Sequence, residues 1–142
     1  MAEKIHFELV TPYGMFMDYA EAEMVVLPAY DGQIAVQKGH VPLIVSIIPG
    51  LSRIHVGGEI LNCFVSHGYA VIEPELVTLI VSAAEWPENI DIARAEASIK
   101  RAEEKLKDRA NLSDNKISSA EHAIRRSKAR IHIAEKYKNK EK

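Results

Sequence analysis

The sequence is poor in the residues on which several common kinds of site depend. One cysteine, Cys63, occurs among 142 residues, so no disulfide can form within the chain. The six histidines show no metal-ligand spacing, and no Gly-x-x-x-x-Gly-Lys-Ser/Thr loop occurs, which excludes a P-loop nucleotide site. No Ser-His-Asp set can be picked out either. We therefore expect a protein that is not an enzyme and that needs no metal or cofactor.

Long apolar runs are also missing. No stretch approaches the roughly 20 apolar residues that a bilayer-spanning helix needs. The first residues, Met-Ala-Glu-Lys-Ile-His, lack the basic-then-apolar pattern of a signal peptide. Cys63 lies in an apolar strand pattern, where a buried small hydrophobe is a better interpretation than a reactive thiol. These features fit a reducing cytoplasm and a chain that does not insert into the membrane.

What the sequence does contain is a single change of hydrophobic period. Up to about Glu85 the apolar residues alternate or form short runs, as in strands. Gly57-Gly58 and the segment 73–75 (Glu-Pro-Glu) separate such runs and predict hairpins. Short strands with close turns and no intervening helix are typical of an antiparallel sandwich or barrel, and we predict the sandwich.

Beyond the boundary the apolar residues recur every three or four positions. One stripe runs from Ile92 to Ala110, and a second runs from Ala120 to Ala134, with a polar break at residues 111–115. Ser118 with Glu121 predicts a capping box for the second helix. The expected fold is therefore α+β in sequence order, with a β-sandwich over residues 1–86 and an antiparallel two-helix hairpin over residues 87–142.

The predicted seam between the helices consists mostly of alanine. Alanine lets helices approach closely, but it buries little apolar area, and each Å² contributes only about 25 cal/mol. We therefore expect the hairpin to be weakly held and able to move.

The net charge of −2 hides an asymmetry. Residues 1–115 contain 9 Lys and Arg against 17 Asp and Glu, a balance of −8, whereas residues 116–142 contain 9 against 3, a balance of +6. A basic arm on an acidic body predicts an acidic partner. A solvated helix end rich in lysine is the simpler alternative. A nucleic-acid-binding module is a second alternative, although the basic run contains a single aromatic residue, Tyr137, and stacking would require several interleaved ones.

Several motifs in register resemble one protein family. Residues 31–44 read Asp-Gly-Gln-Ile-Ala-Val-Gln-Lys-Gly-His-Val-Pro-Leu-Ile, which is similar to the signature loop of the epsilon subunit of bacterial F-type ATP synthases. Residues 10–14, 64–71 and 77–78 resemble further strands and turns of that family in the same order. The departures include Ala35 for a usual glycine, Lys38 for a usual proline and Gln33 where an acidic residue is frequent.

The resemblance implies a rotor subunit that couples ion flow to ATP synthesis. The sandwich would dock on the gamma subunit and on the membrane ring, peripheral to the cytoplasmic face of the bacterial cell membrane. The ring contacts implied by the signature loop are Gln33, Gly39, His40 and Pro42. The hairpin would either lie folded on the sandwich or extend toward the catalytic head, where it would inhibit ATP hydrolysis. In that state Arg125 and Lys128 would face an acidic surface of the head subunits.

A further motif implies ATP as a regulatory ligand. The segment Ile90-Asp91-x-x-Arg94-Ala95 resembles the nucleotide-binding motif of some epsilon subunits. Arginines seven apart on one helix lie on nearly the same face, and arginines four apart are one turn from each other, so a folded hairpin could gather them around phosphates. The expected nucleotide-binding set is Glu85, Ile90, Asp91, Arg94, Ala95, Arg101, Arg126 and Arg130.

Overall fold

The computed structural model describes residues 3–138, and within this range ten strands precede two helices. The strands are β1 (Ile5–Thr11), β2 (Gly14–Ala22), β3 (Met24–Ala29), β4 (Gly32–Val36), β5 (Leu43–Ile47), β6 (Gly50–Val56), β7 (Glu59–Val65), β8 (Gly68–Ile72), β9 (Leu76–Val81) and β10 (Ala84–Glu85). The helices are α1 (Ile92–Leu106) and α2 (Asp114–Tyr137), with short 3₁₀ turns at Pro87–Asn89 and Arg109–Asn111. This order confirms the predicted fold class.

The chain divides into two compact units between Trp86 and Pro87. On the first side of the division, the Trp86 ring packs on Phe16 with 5.3 Å between the ring centroids. On the second side, Pro87 opens a 3₁₀ turn, where its fixed φ is compatible and its missing N–H costs nothing. The change of hydrophobic period therefore coincides with a change of compact unit.

The strands of the first unit form one continuous hydrogen-bonded path. Its order is β10-β7-β6-β3-β5-β8-β9-β1-β2, and β4 pairs with β3 beside this path. Most pairs are antiparallel, but β1 and β9 run parallel, with His6 opposite Leu76 and Val10 opposite Ile80. This parallel pair is an exception within the predicted antiparallel sandwich. Strands so distant in sequence are free of the hairpin constraint that forces neighbours to be antiparallel.

Both predicted hairpins form. Gly57 and Gly58 have φ values of +61° and +82°, a conformation that favours glycine, and they connect β6 to β7 with Val56 opposite Glu59. The second hairpin joins β8 to β9 around residues 73–75. Strand β5 begins at Leu43, directly after Pro42, which has no N–H to donate to a neighbouring strand.

The core of the first unit follows from the alternation of its strands. Ile5, Phe7 and Leu9 on β1 are fully buried, while the residues between them are partly exposed. Cys63 is buried in the same core, and loss of water around its thiol raises the pKa of Cys63 to about 12. A thiol with this pKa is protonated at neutral pH, so Cys63 acts as a small hydrophobic residue, as expected.

Gly68 is the glycine of the sandwich at which an added Cβ atom would meet the closest contacts. It lies between β5 and β9, and a Cβ atom there would overlap the Ile80 carbonyl oxygen and come within 2.7 Å of the Val81 Cα. Because both neighbours are backbone atoms, the sheet would have to shift. We expect Gly68→Ala to lower the free energy of unfolding by about 2–3 kcal/mol, measured by urea titration.

Gly50→Ala is the matched control for that substitution. A Cβ at Gly50 would lie 3.0 Å from the Pro28 Cβ, which belongs to a side chain rather than to the backbone. We expect a smaller loss of stability for Gly50→Ala. Equal losses at the two positions would mean that the closeness of β9 to Gly68 is not what limits this site.

The two helices of the second unit begin at different kinds of cap. Asp91 caps α1, and its carboxylate accepts a hydrogen bond from the Arg94 N–H at 3.0 Å. Ser113 caps α2 through the Lys116 N–H at 3.3 Å, so the predicted capping box at Ser118 is wrong. Ser113 comes first and already satisfies the end of the helix, which leaves Ser118 in the interior of α2. The first helix ends at Leu106, so Ala110 does not belong to its stripe either.

Candidate functional site

The segment 90–95 forms the start of α1, and its groups already have partners. The side chain of Ile90 is 2 % exposed, and its carbonyl accepts a hydrogen bond from the Lys138 Nζ at 3.3 Å. The Asp91 carboxylate serves as the cap, and Ala95 is buried one turn into the helix. The motif is therefore a helix N-terminus tied to the end of α2 within the same unit.

The predicted arginines project from both helices. Arg94 and Arg101 are exposed on α1, about 10.5 Å apart along the helix axis at 1.5 Å per residue. Arg126 and Arg130 are partly buried on α2, one turn apart. The four side chains therefore lie at two different heights along the axis of the hairpin, and each such height is called a level below.

The register of the hairpin shows which arginines share a level. A cleft between the helices is lined by Arg101 and Ala102 of α1 together with Ala120 and Ala123 of α2. Moving seven residues back along α1 to Arg94 corresponds to moving seven residues forward along antiparallel α2, to residues 127–130. Arg94 is therefore level with Arg130 and within one residue of the level of Arg126, whereas Arg101 lies nearer the loop.

Small residues form much of the interior of the hairpin. The described residues of α1 and α2 that are buried are Ala95, Ala102, Ala120, Ser127, Ile133 and Ala134. Five of these six side chains are alanine or serine, and each of these contributes little buried apolar area.

Glu85 belongs to the first unit. It lies on β10, paired with Phe64 of β7, and is partly buried. Its predicted role in nucleotide binding stays a prediction.

The loop predicted to contact a ring connects β4 to β5 and lies against the β8–β9 hairpin. Gly39 has a φ of +88°, and its N–H donates to the Pro74 carbonyl at 2.7 Å, which fixes the loop against the β8–β9 hairpin. The His40 Nδ1 and the Val41 carbonyl oxygen are 2.7 Å apart. Because a carbonyl oxygen can only accept a hydrogen bond, the Nδ1–H of His40 is the donor. Pro42 is exposed where β5 begins.

An apolar surface lies beside this loop. Tyr30 and Ile44 are 76 % and 70 % exposed, and both line an open groove that also includes Gln33. Exposed apolar groups gathered in one groove are typical of a protein contact. Three of the four predicted ring contacts, Gly39, His40 and Pro42, lie outside the groove, in the adjoining loop.

Comparison with known proteins decides the family. Residues 4–87 match the family model of the ATP synthase delta/epsilon chain β-sandwich domain. The ATP synthase epsilon chain of Caldanaerobacter subterraneus subsp. tengcongensis is 40 % identical over 138 residues, covering 96 % of this chain and 98 % of the relative. The epsilon chain of Macrococcus caseolyticus is 38 % identical, over 92 % and 96 %. The chain belongs to the ATP synthase delta/epsilon family.

The predicted resemblance is thereby confirmed, and the chain is a non-catalytic member of this epsilon family, as expected. Solved structures share the fold. One is the Euglena gracilis mitochondrial ATP synthase (OSCP/F1/c-ring), with a TM-score of 0.76, 17 % identity and coverage of 89 % of this chain and 79 % of that one. Another is the Tetrahymena thermophila mitochondrial ATP synthase central stalk and c-ring, with a TM-score of 0.69 and 10 % identity. The match covers 93 % of this chain and 97 % of that one. No helix within residues 3–138 is long and apolar enough to cross a membrane.

Three features of this epsilon-family chain were not predicted from its sequence. Lys138 reaches back to the Ile90 carbonyl across 48 residues. Lys105 and Lys116 line the same cleft as Arg101, which only the register of the hairpin reveals.

The third feature is a cluster of His6, Glu8 and Asp18, in which the His6 Nε2 and the Asp18 Oδ1 are 2.6 Å apart. Cross-strand pairing brings Asp18 opposite Glu8. A search for spacing along the chain could not find this cluster, because its members come from two strands.

Proposed function

We propose that this chain is a rotor subunit of the central stalk of a bacterial F-type ATP synthase, peripheral to the cytoplasmic face of the membrane. The sandwich docks on the gamma subunit and the membrane ring and helps to couple ion flow to ATP synthesis. The observation that carries the proposal is the match to epsilon chains across both compact units, over 96 % of the sequence. The exposed groove at Tyr30 and Ile44 beside the Gly39-His40 loop offers the contact surface.

We test this role by purification of the tagged chain from bacterial membranes. The chain should bring the gamma subunit and the ring with it. Ile44→Asp should sharply reduce recovery of the ring, because it places a charge in an apolar contact. Ile60, exposed on β7 outside the groove, supplies the matched control Ile60→Asp, which should leave recovery unchanged. Recovery of neither partner by the unaltered chain would overturn the proposal.

We propose further that the hairpin inhibits ATP hydrolysis when it leaves its folded form, and that ATP retains the folded form. The small seam residues support this, because a hairpin with little buried area can open. The helix start at Asp91 and the arginines level with it offer groups for a nucleotide. The basic arm would meet an acidic surface of the catalytic head, not nucleic acid.

Charge on the arm should matter for inhibition. We expect the combined change of Arg125, Arg126, Lys128 and Arg130 to glutamine to weaken inhibition of hydrolysis by the assembled enzyme. The difference from the unaltered chain should shrink in high salt, because the charges of the exposed Arg125 and Lys128 are screened over a Debye length of about 8 Å at physiological ionic strength. Steady-state ATPase assays over a range of salt measure this. Full inhibition by the neutralised chain would point to helix packing instead of charge.

A further inference from the structure

The cluster of His6, Glu8 and Asp18 lies on the solvent face of the first unit. His6 and Glu8 are two residues apart on β1, so their side chains leave the same side of the sheet, while Phe7 between them is fully buried. Asp18 stands directly opposite Glu8 on the antiparallel strand β2. The three side chains are between 27 % and 51 % exposed, so an ion in solution can reach them.

An irregularity in the pairing of the two strands helps to place His6. Between Ile5 and Phe7, residues 20–21 of β2 face the single residue His6 of β1. A bulge of this kind twists the strands and redirects a side chain. The His6 ring reaches Asp18, which lies further along β2, instead of the residues directly opposite. The backbone therefore brings an imidazole between two carboxylates.

The distances within the cluster suit a tetrahedral metal ion. The His6 Nε2 is 2.6 Å from the Asp18 Oδ1 and 3.7 Å from the Glu8 Oε2, and the three ligand atoms all lie within 4.8 Å of one another. Zinc binds nitrogen and oxygen at about 2.0–2.2 Å, which sets tetrahedral ligands about 3.3–3.6 Å apart. Small rotations of the side chains would bring the three atoms to this spacing.

The surrounding charges leave both carboxylates available to a cation. Among residues 3–138, no lysine or arginine pairs with Glu8 or Asp18. Lys4, which precedes β1, is engaged by Glu23 at 2.9 Å. On the other side of β1, Thr78 of β9 lies opposite Glu8 and adds no charge. Two carboxylates and a neutral imidazole together balance the charge of a divalent ion.

The ligand types select among divalent ions. Magnesium and calcium prefer sets made only of oxygen, whereas imidazole favours zinc and its transition-metal neighbours. One nitrogen and two carboxylate oxygens leave one tetrahedral position open, as in zinc sites with three protein ligands and a water.

We infer that His6, Glu8 and Asp18 bind a divalent transition-metal ion, with zinc as the best match, and that water completes its coordination. The ion connects β1 to β2, which is the last strand of the hydrogen-bonded path, and so it stabilises the sandwich from outside the core. The inference rests on the geometry of these two strands alone and does not depend on the proposed role in the stalk.

Calorimetric titration of the full chain with zinc chloride, after removal of bound metal with EDTA and dialysis, tests the inference. We expect saturable binding at one site. His6→Gln and Asp18→Asn should each weaken it by at least about tenfold, because even the loss of a group that only supports a metal ligand costs about 10–100-fold in affinity. Far-UV circular dichroism verifies that each variant folds.

His55→Gln is the matched control. His55 is a partly exposed histidine on β6, and among the described residues it belongs to no group of three possible metal ligands. This variant should bind zinc as the unaltered chain does. Calcium chloride at the same concentration should not displace the zinc.

Thermal unfolding gives a second readout that does not depend on calorimetry. The Trp86 ring packs on Phe16 of β2, so its fluorescence reports on the strand that the ion would hold. Zinc should raise the melting temperature followed by this signal, because a ligand that binds only the folded state stabilises it. EDTA should reverse the rise, and His6→Gln should abolish it.

Three results would overturn the inference: no saturable binding, an equal loss of affinity in His55→Gln, or undiminished binding by His6→Gln. The first would leave the cluster as a pair of contacts between a histidine and two carboxylates. The second and third would assign the bound zinc to other groups of the chain.

Discussion

Deleting residues 87–142 should leave a folded sandwich that still joins the enzyme and lets it hydrolyse ATP faster. The core of the first unit is built entirely from residues between Ile5 and Val81, with Ala84 and Trp86 packed against it. A chain that ends at Trp86 keeps all of these contacts. It loses only the helices to which we assign inhibition, so its ATPase rate after reconstitution should rise several-fold above that with the full chain.

The position of the cut supplies the control. A chain that ends at Ser82 also loses the pairing of β10 with β7 and the contact of Trp86 with Phe16. Its sandwich should be less stable by on the order of 2 kcal/mol, from the apolar area of the tryptophan. If the chain ending at Trp86 folds but fails to assemble, the hairpin is needed for attachment and the inhibitory role is wrong.

ATP should stabilise the helical unit of the full chain. A ligand that binds only the folded hairpin adds RT ln(1 + [L]/Kd), which is about 2.7 kcal/mol at 100 times the Kd. This free energy is large compared with the stabilisation expected from a seam built mostly of alanine and serine. Thermal unfolding followed by far-UV circular dichroism, with and without ATP, measures the shift, and calorimetry gives the Kd.

Substitutions should locate the nucleotide among the arginines. Arg94→Ala and Arg126→Ala remove two cations that share a level of the hairpin, so each should reduce ATP affinity by about tenfold or more. Arg125→Ala is the matched control, because Arg125 is exposed beside Arg126 and lies outside the predicted set. Equal affinity of all three variants for ATP would leave these arginines as surface charge.

Asp91 needs a more careful substitution, because its carboxylate caps α1. Asp91→Ala would remove the cap at a cost of about 1 kcal/mol and would confuse helix stability with ligand binding. Asparagine caps helices equally well, so Asp91→Asn keeps the helix start and removes only the charge. A lower ATP affinity in Asp91→Asn would therefore report on the ligand itself.

Features that depend only on a few neighbouring residues could be predicted from the sequence. The hairpin at Gly57-Gly58 needs only two residues that tolerate positive φ, and the stripes of α1 and α2 need only regular spacing. The parallel pairing of β1 with β9 has no such local signature, because it joins strands separated by more than sixty residues. The predicted cap of α2 was wrong because Ser118 and Glu121 match the capping-box spacing, whereas the cap that forms, Ser113, lies in the segment predicted as a polar break.

The candidate site was predictable in part for the same reason. Residues 90–95 form one contiguous motif, which a reader of the sequence can recognise. The level of Arg94 with Arg126, the cleft that gathers Lys105 with Lys116, and the Lys138 contact all depend on how the two helices are aligned. That alignment follows from the length of the connecting loop and from the buried alanines, which no motif encodes.

The stacking of Trp86 on Phe16 also gives the molecule an optical asymmetry. Trp86 is the single tryptophan of the chain, and among residues 87–142 the sole aromatic residue is Tyr137. Tryptophan fluorescence therefore follows the melting of the sandwich, whereas the ellipticity of α1 and α2 follows the hairpin. The unfolding of the two compact units can be followed separately in one unlabelled sample, so the cooperativity between them can be measured.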